Sequence, residues 1–343
     1  MGVDLADLIL RQKITLDDLS GKKIAIDMYN ALYQFLTIIR GKSGEPLMDR
    51  EGRVTSHLSG LFYRVTNLSE KGIRVVCVFD GKPPSLKEDE IRRRFQRKAD
   101  AQVKYEKALK RGDLEEARVQ VQATSRISDS MVEDSRRLLD VLGIPWMVAP
   151  SEGEAQAAYI ASRGDVWAAS SQDYDSLLFG APRLVRNLSI SGRRKLPRRN
   201  AYIEVEPEIV ELSHVLQQLQ ITREQLVDLG ILLGTDYNPD GVKGIGPKTA
   251  LKMLKQSKSL DNIAPIIEGT FPENYGKIQE MFLHPDVTSS YELEWKNPDV
   301  DATTQFLCSE RDFSEDRVRN ALGRMITGLR KTEKRTTLES FFR

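Results

Sequence analysis

Seven carboxylates carry the clearest chemical signal in this 343-residue chain: Asp27, Asp80, Glu152, Glu154, Asp173, Asp175 and Asp236. They come from five separate segments. Gathered at one place, they would repel one another, and burial would raise their pKa values. Bound cations resolve that conflict. Magnesium takes a few carboxylates plus water and leaves positions open for phosphate. Two such ions, roughly 3.5–4 Å apart, clamp the attacking and leaving oxygens of a phosphodiester. No pattern here offers a covalent nucleophile, so attack by water is the economical route. Each acid alone has a plainer reading. Ser151-Glu152-Gly153-Glu154 has the form of a capping box, with Ser151 as N-cap and Glu154 at N3. Asp173 and Asp175 could open a helix. Asp80-Gly81 and Asp236-Tyr237-Asn238-Pro239 have the composition of turns. Recurrence across five segments favours the metal reading.

The elements that must position these acids are legible as alternation. Lys23-Ile24-Ala25-Ile26 runs into Asp27, and Val75-Val76-Cys77-Val78-Phe79 into Asp80. Gly143-Ile144-Pro145-Trp146-Met147-Val148 leads to Glu152, and Val166-Trp167-Ala168-Ala169 towards Asp173. Helical patterns at 29–39, 56–71 and 129–142 separate them. Short β-rich runs alternating with helices predict an α/β fold: a mainly parallel twisted central sheet covered by helices on both faces. Ligands of such sheets sit outside the carboxyl ends of the strands, where these acids fall. Segment 82–128 breaks the alternation and reads as inserted helices over the strand ends. It holds thirteen Lys/Arg against eight Asp/Glu between Lys82 and Arg126. A solvated helix face explains such charge as readily as a phosphate track. Segments 184–190 and 202–205, flanking Ser191-Gly192, suggest a β-hairpin.

Composition narrows the class. Hydrophobic residues make up 40% and charged residues 29%, as in a soluble globular chain. No apolar run approaches a membrane span, and the N-terminus lacks the pattern of a signal peptide. Cys77 and Cys308, with three scattered histidines, give no zinc spacing and fit a reducing interior. The net charge of +1 is silent about partners, so only the local basic clusters point to polyanions.

The quoted blocks, with Val78-Phe79-Asp80-Gly81-Lys82-Pro83-Pro84, Gln172-Asp173-Tyr174-Asp175, Leu233-Gly234-Thr235-Asp236-Tyr237 and Gly244-Ile245-Gly246-Pro247-Lys248, resemble those of flap endonucleases. These belong to the structure-specific 5′ nucleases. The resemblance runs from Met1 to the tail and includes all seven acids. It implies that Asp27, Asp80, Glu152 and Glu154 hold a first magnesium ion, and that Asp173, Asp175 and Asp236 serve a second, with manganese able to substitute. It implies that Lys87 and Arg94, seven residues apart on one inserted helix, face the scissile phosphate. By the same resemblance Tyr33 stacks on a terminal base, Gly2 lies near the site, and Arg40, Thr55 and Arg64 contact a 3′ flap. From its residues alone, Tyr33 reads as core.

Val242-Lys243-Gly244-Ile245-Gly246-Pro247-Lys248 carries its own physics. Glycines allow close backbone approach to a phosphate, and Pro247 suits the first position of a helix whose amides face an anion. This predicts a helix-hairpin-helix-like element at 236–256, with Lys243, Gly244, Gly246 and Lys248 on duplex DNA. In the resembling family it also uses a monovalent cation. The tail ends in Leu338, Phe341 and Phe342, which resemble the sliding-clamp motif of replication proteins, although Arg335 stands in the usual Gln slot. The expected organisation is one nuclease domain over 1–328: an N-terminal region at 1–81, the arch at 82–128, an internal region at 129–235, the hairpin element at 236–256 and a helical part at 257–328. A flexible clamp-binding tail at 329–343 follows. The expected activity is 5′ flap endonuclease with 5′–3′ exonuclease, in DNA replication (Okazaki fragment maturation) and repair. The protein is expected to be a monomer with no membrane partner, cytoplasmic in an archaeal source and nuclear in a eukaryotic one. A non-catalytic, clamp-recruited junction-binding protein on the same fold is the competing reading.

Overall fold

The computed structural model describes the chain except residues 1, 42–43, 114–115, 117–118, 121–123, 196–201, 268–270 and 342–343; the side chains of 89, 109, 193–195, 202 and 332–341 are likewise not described. Its strands are β1 (Gln12–Lys13), β2 (Lys23–Asp27), β3 (Arg74–Phe79), β4 (Trp146–Val148), β5 (Ala168–Ser170), β6 (Arg183–Arg186), β7 (Gly192–Lys195), β8 (Tyr202–Val205) and β9 (Glu208–Glu211). Seven of them form one sheet in the order β1-β9-β6-β5-β2-β3-β4. Strands β6, β5, β2, β3 and β4 are parallel, and β9 and β1 add an antiparallel edge.

Both long central strands are buried on both faces, so they read as continuous apolar runs. Their side chains alternate between two cores, as the pleat requires. Ala25, Val76 and Val78 enter one core with helices α5 (Gly153–Ser162), α8 (Arg223–Leu233) and α11 (Tyr275–Leu283). Ile24, Ile26, Val75, Cys77 and Phe79 enter the other, with α1 (Met28–Ile38), α2 (Ser56–Glu70), α4 (Asp129–Val141) and α13 (Glu315–Phe341). The chain runs outward from β2 through β3 to β4, then returns to the other side of β2 with β5. A topological switch point therefore lies between β2 and β5, the place where such sheets bind ligands.

The insertion is helical as expected, with α3 spanning Glu88–Lys110. Lys87 closes a short 3-10 turn, Ser85–Lys87, just before it. Two expectations need correction. Segment 202–205 pairs with Gly192–Lys195, not with 184–190, and β6 belongs to the main sheet. Ser151 is not a helix cap: its carbonyl accepts the Gly81 amide at 2.7 Å, and α5 starts one residue later with Glu152 at the N-cap. After Gly328, α13 continues to Phe341. Gly328 is where α13 meets α2. A Cβ there would stand 2.5 Å from Glu70 Cα. The side chains of Leu338 and Phe341, and all of Phe342, lie outside the described residues. Cys77 and Cys308 are both free thiols, and among the described residues no helix is long and apolar enough to cross a membrane.

Candidate active site

Each acid is held by the element that delivers it. Asp27 ends β2 and caps α1, accepting the Asn30 amide at 3.2 Å. Asn30 Nδ2 reaches across the switch point to Asp173 Oδ2 at 3.3 Å. Asp80 follows β3 and accepts the Gly153 amide at 2.7 Å, which ties β3 to the start of α5. Glu154, in the first turn of α5, accepts the backbone and hydroxyl of Ser176 at 3.0 and 2.6 Å. Asp175 opens the short helix α6 (Asp175–Leu178) and accepts the Val3 amide at 2.7 Å. Gly2 packs on the same carboxylate, where a Cβ would fall 2.5 Å from its Oδ1. Asp236 lies in the turn after α8, and Glu152 takes hydrogen bonds from Lys87 Nζ and the Tyr237 hydroxyl.

The electrostatics show one crowded cluster. Burial, then Asp80 and Asp173, pushes Asp27 well above the ordinary carboxylate range. Burial also raises Asp80. Burial, then Asp175, Asp173 and Asp27, raises Glu154 strongly. Asp175 is pushed up to about 7 by burial and by Asp236 and Asp173. These groups resist ionising together, as like charges without enough counter-charge must. The four-and-three division is not drawn by these contacts, since Glu154 faces Asp175 and Asp173 ahead of Asp27.

Two cations close one side of the cluster. Lys87 Nζ sits 3.0 Å from Asp236 Oδ2 and also bonds Glu152. Arg94 Nη2 lies 2.6 Å from Asp236 Oδ1. Burial alone would raise Asp236, but Lys87 and Arg94 outweigh it and hold that carboxyl well below its usual range. The expected basic pair therefore reaches the acids from the arch, although Lys87 precedes α3. Tyr237 was not singled out from sequence. Its hydroxyl donates to Glu152, and its ring lies 5.9 Å below Lys87 Nζ and packs on Phe282. Its only sequence signal is its place beside Asp236.

The site suits hard divalent cations. It offers carboxylate oxygens whose mutual repulsion is incompletely offset, the chemistry that magnesium prefers. Among the described residues, no three acids are drawn into a closed cation cage.

The remaining expected contacts spread outward. Tyr33 is 39% exposed, not core, and lies 5.2 Å from Lys98 Nζ. Arg40 bonds the Gly44 carbonyl at 3.0 Å and the Ser125 hydroxyl. Thr55 precedes α2, buried and without a side-chain cap bond. Arg64 is held by Ser191, to the hydroxyl at 2.9 Å and to the carbonyl at 2.7 Å. Beyond the acids, Gly246 caps helix α9 (Pro247–Ser257), with Pro247 in its first turn. Gly244 takes φ +83°, a left-handed conformation open to glycine. Lys243 and Lys248 are exposed on this hairpin.

Residues 1–101 match the XPG N-terminal domain and residues 143–236 the XPG I-region. Flap endonuclease 1 of Staphylothermus marinus is 55% identical over 349 residues, covering 100% of both chains. The chain belongs to the flap endonuclease family. Flap endonuclease 1 of Pyrococcus furiosus is 52% identical, again over 100% of both chains. The solved flap endonuclease-1 from Methanococcus jannaschii is 43% identical, with a TM-score of 0.76 over 96% of this chain and 99% of that one. The catalytic core of Rad2 in complex with DNA substrate shares the fold, with a TM-score of 0.71 at 24% identity over 95% of this chain and 100% of that one. As a flap endonuclease family member, the chain is a metal-dependent nuclease that hydrolyses DNA phosphodiester bonds.

Proposed function

We propose that the chain cuts 5′ flaps, hydrolysing one phosphodiester beside the single-to-double-strand boundary, with 5′–3′ exonuclease action at the same site. One observation carries this reading: acids from five segments converge at the switch point, and Lys87 and Arg94 face them from the arch. Magnesium, two ions per site with manganese able to substitute, is the proposed metal. Held by the seven acids, it would activate water and offset charge on the attacked phosphate and leaving oxygen.

The chain's own groups do the rest. A phosphate entering the site competes with Asp236 and Glu152 for Lys87 and Arg94, which then stabilise the charge that develops on it. Tyr33 offers an exposed ring for a base beside the cut. The hairpin at Lys243, Gly244, Gly246 and Lys248 grips duplex backbone without reading sequence, with a monovalent cation assisting. Arg40, Thr55 and Arg64 are the proposed 3′-flap contacts; this rests on the family resemblance, and both arginines must exchange protein partners for DNA. Leu338, Phe341 and Phe342 are the proposed plug for a sliding clamp. These parts suit Okazaki fragment maturation and repair by a monomer acting on DNA in the cytoplasm of an archaeal cell.

A 5′-labelled flap duplex incubated with and without magnesium tests the reading. The expected product is a cut within a nucleotide or so of the branch, seen only with metal. Binding without any metal-dependent cut would overturn it.

A further inference from the structure

We propose that Glu90 is a positioning residue that aims Arg94 at the reacting phosphate; this rests on the role given to Arg94 above. Glu90 lies one turn into the arch from Lys87, and it is only 3% exposed. A buried acid on a segment that must admit a polyanion works against DNA attraction, so its presence calls for a reason. The geometry supplies one. Arg94 Nε donates to Glu90 Oε1 at 2.9 Å, while Nη2 of the same guanidinium donates to Asp236 Oδ1 at 2.6 Å. The guanidinium is planar and rigid, so fixing Nε fixes the direction of the terminal nitrogens. The i,i+4 spacing on α3 makes this contact one that the helix itself delivers.

The other oxygen supports the assignment. Glu90 Oε2 is buried without a hydrogen bond among the described residues, and Arg97 Nη2 stands 3.7 Å away. Arg97 thus balances the carboxylate charge from a distance and leaves the direct bond to Arg94. Lys87 is oriented differently, because the site acids hold it themselves. When phosphate displaces Asp236 as the partner of Nη2, the Glu90 bond to Nε can persist. Arg94 is then pre-oriented, and less side-chain freedom is lost as the transition state forms.

A double-mutant cycle on single-turnover flap cleavage tests this. Glu90→Ala should slow cutting on the order of tenfold to a hundredfold, the scale of a misplaced catalytic group. Its affinity for the flap should be unchanged or tighter. Glu90→Gln, which keeps an acceptor oxygen, should recover most of the rate. In an Arg94→Ala enzyme, Glu90→Ala should cause little further slowing. Equal slowing by Glu90→Ala with and without Arg94, as a collapsed arch would give, overturns the proposal. So does an undiminished rate in Glu90→Ala alone, or equal rates in the Ala and Gln variants. If Arg94→Ala cuts as fast as wild type, the role of Arg94 itself fails, which is a separate result.

Discussion

The crowded acids of the proposed site work against stability, and substitution separates that cost from the chemistry proposed for them. Asp80→Ala or Asp173→Ala should abolish cutting yet leave flap binding largely intact, because phosphate contacts elsewhere supply affinity. Parallel titrations of cleavage and electrophoretic retention check this, and equal loss of both would refute it. Asp175 gives the stability side. Its carboxyl rises from 3.8 unfolded to about 7 folded, so the folded state favours the proton. The resulting cost is absent below the unfolded pKa, grows as pH rises, and is complete above about 7. That cost is at most about 4 kcal/mol, and relaxation around the carboxylate would reduce it. In chelator at pH 8, Asp175→Asn should therefore melt several degrees above wild type, with the gap closing near pH 4. A lower Tm at pH 8 would count against a crowded cluster. Most of the acids were readable because they follow an apolar run or open a helix, and Asp236 because its turn follows one. Glu90 was not. One acid among arginines on a charged helix looks like any i,i+4 pair until its burial and its bond to a site arginine are seen.

Elements were legible where their boundaries had a local cause, and less so where a distant partner set them. Strands β2 and β3 could be read directly, since burial on both faces demands unbroken apolar residues. Their partners could not, because a period-two pattern states that a strand exists and not what it pairs with; hence the misread hairpin at 202–205. The Ser151 cap failed for a tertiary reason: its carbonyl is taken by the Gly81 amide. That junction also yields a prediction. Gly81 lies so close to the chain after β4 that a Cβ would stand 2.0 Å from the Ala149 carbonyl oxygen. Gly81→Ala should destabilise the fold by about 1–3 kcal/mol. It should also slow cutting beyond what the lost folded fraction explains, because Asp80 moves with its neighbour. Urea denaturation and cleavage assays on one preparation would show this, and wild-type values in both would refute it.

At the scale of the whole molecule, a three-layered α/β nuclease was readable from alternation and acid placement. The share of its pH-dependent stability that resides in His57 was not. That ring is 1% exposed on α2, with neither nitrogen hydrogen-bonded among the described residues. Burial lowers its pKa from 6.5 to about 4; Asp134 opposes the shift and Arg311 adds to it. A depressed folded pKa means that the unfolded chain binds the proton more readily between those values. The His57 contribution to stability is then complete above pH 6.5 and falls as pH drops towards 4, by about 3 kcal/mol. Across that interval wild type should lose about that much more than His57→Leu in denaturant midpoints, and parallel curves would refute it. The strand order has another consequence. β2 emerges early in synthesis, but its neighbour β5 and the turn carrying Asp236 arrive only after the arch and much of the second core have been made. A nuclease is a hazard to the DNA around it. Here a half-synthesised or truncated chain lacks whole segments of its cutting centre, so the genome is exposed to the activity only after most of the fold has formed.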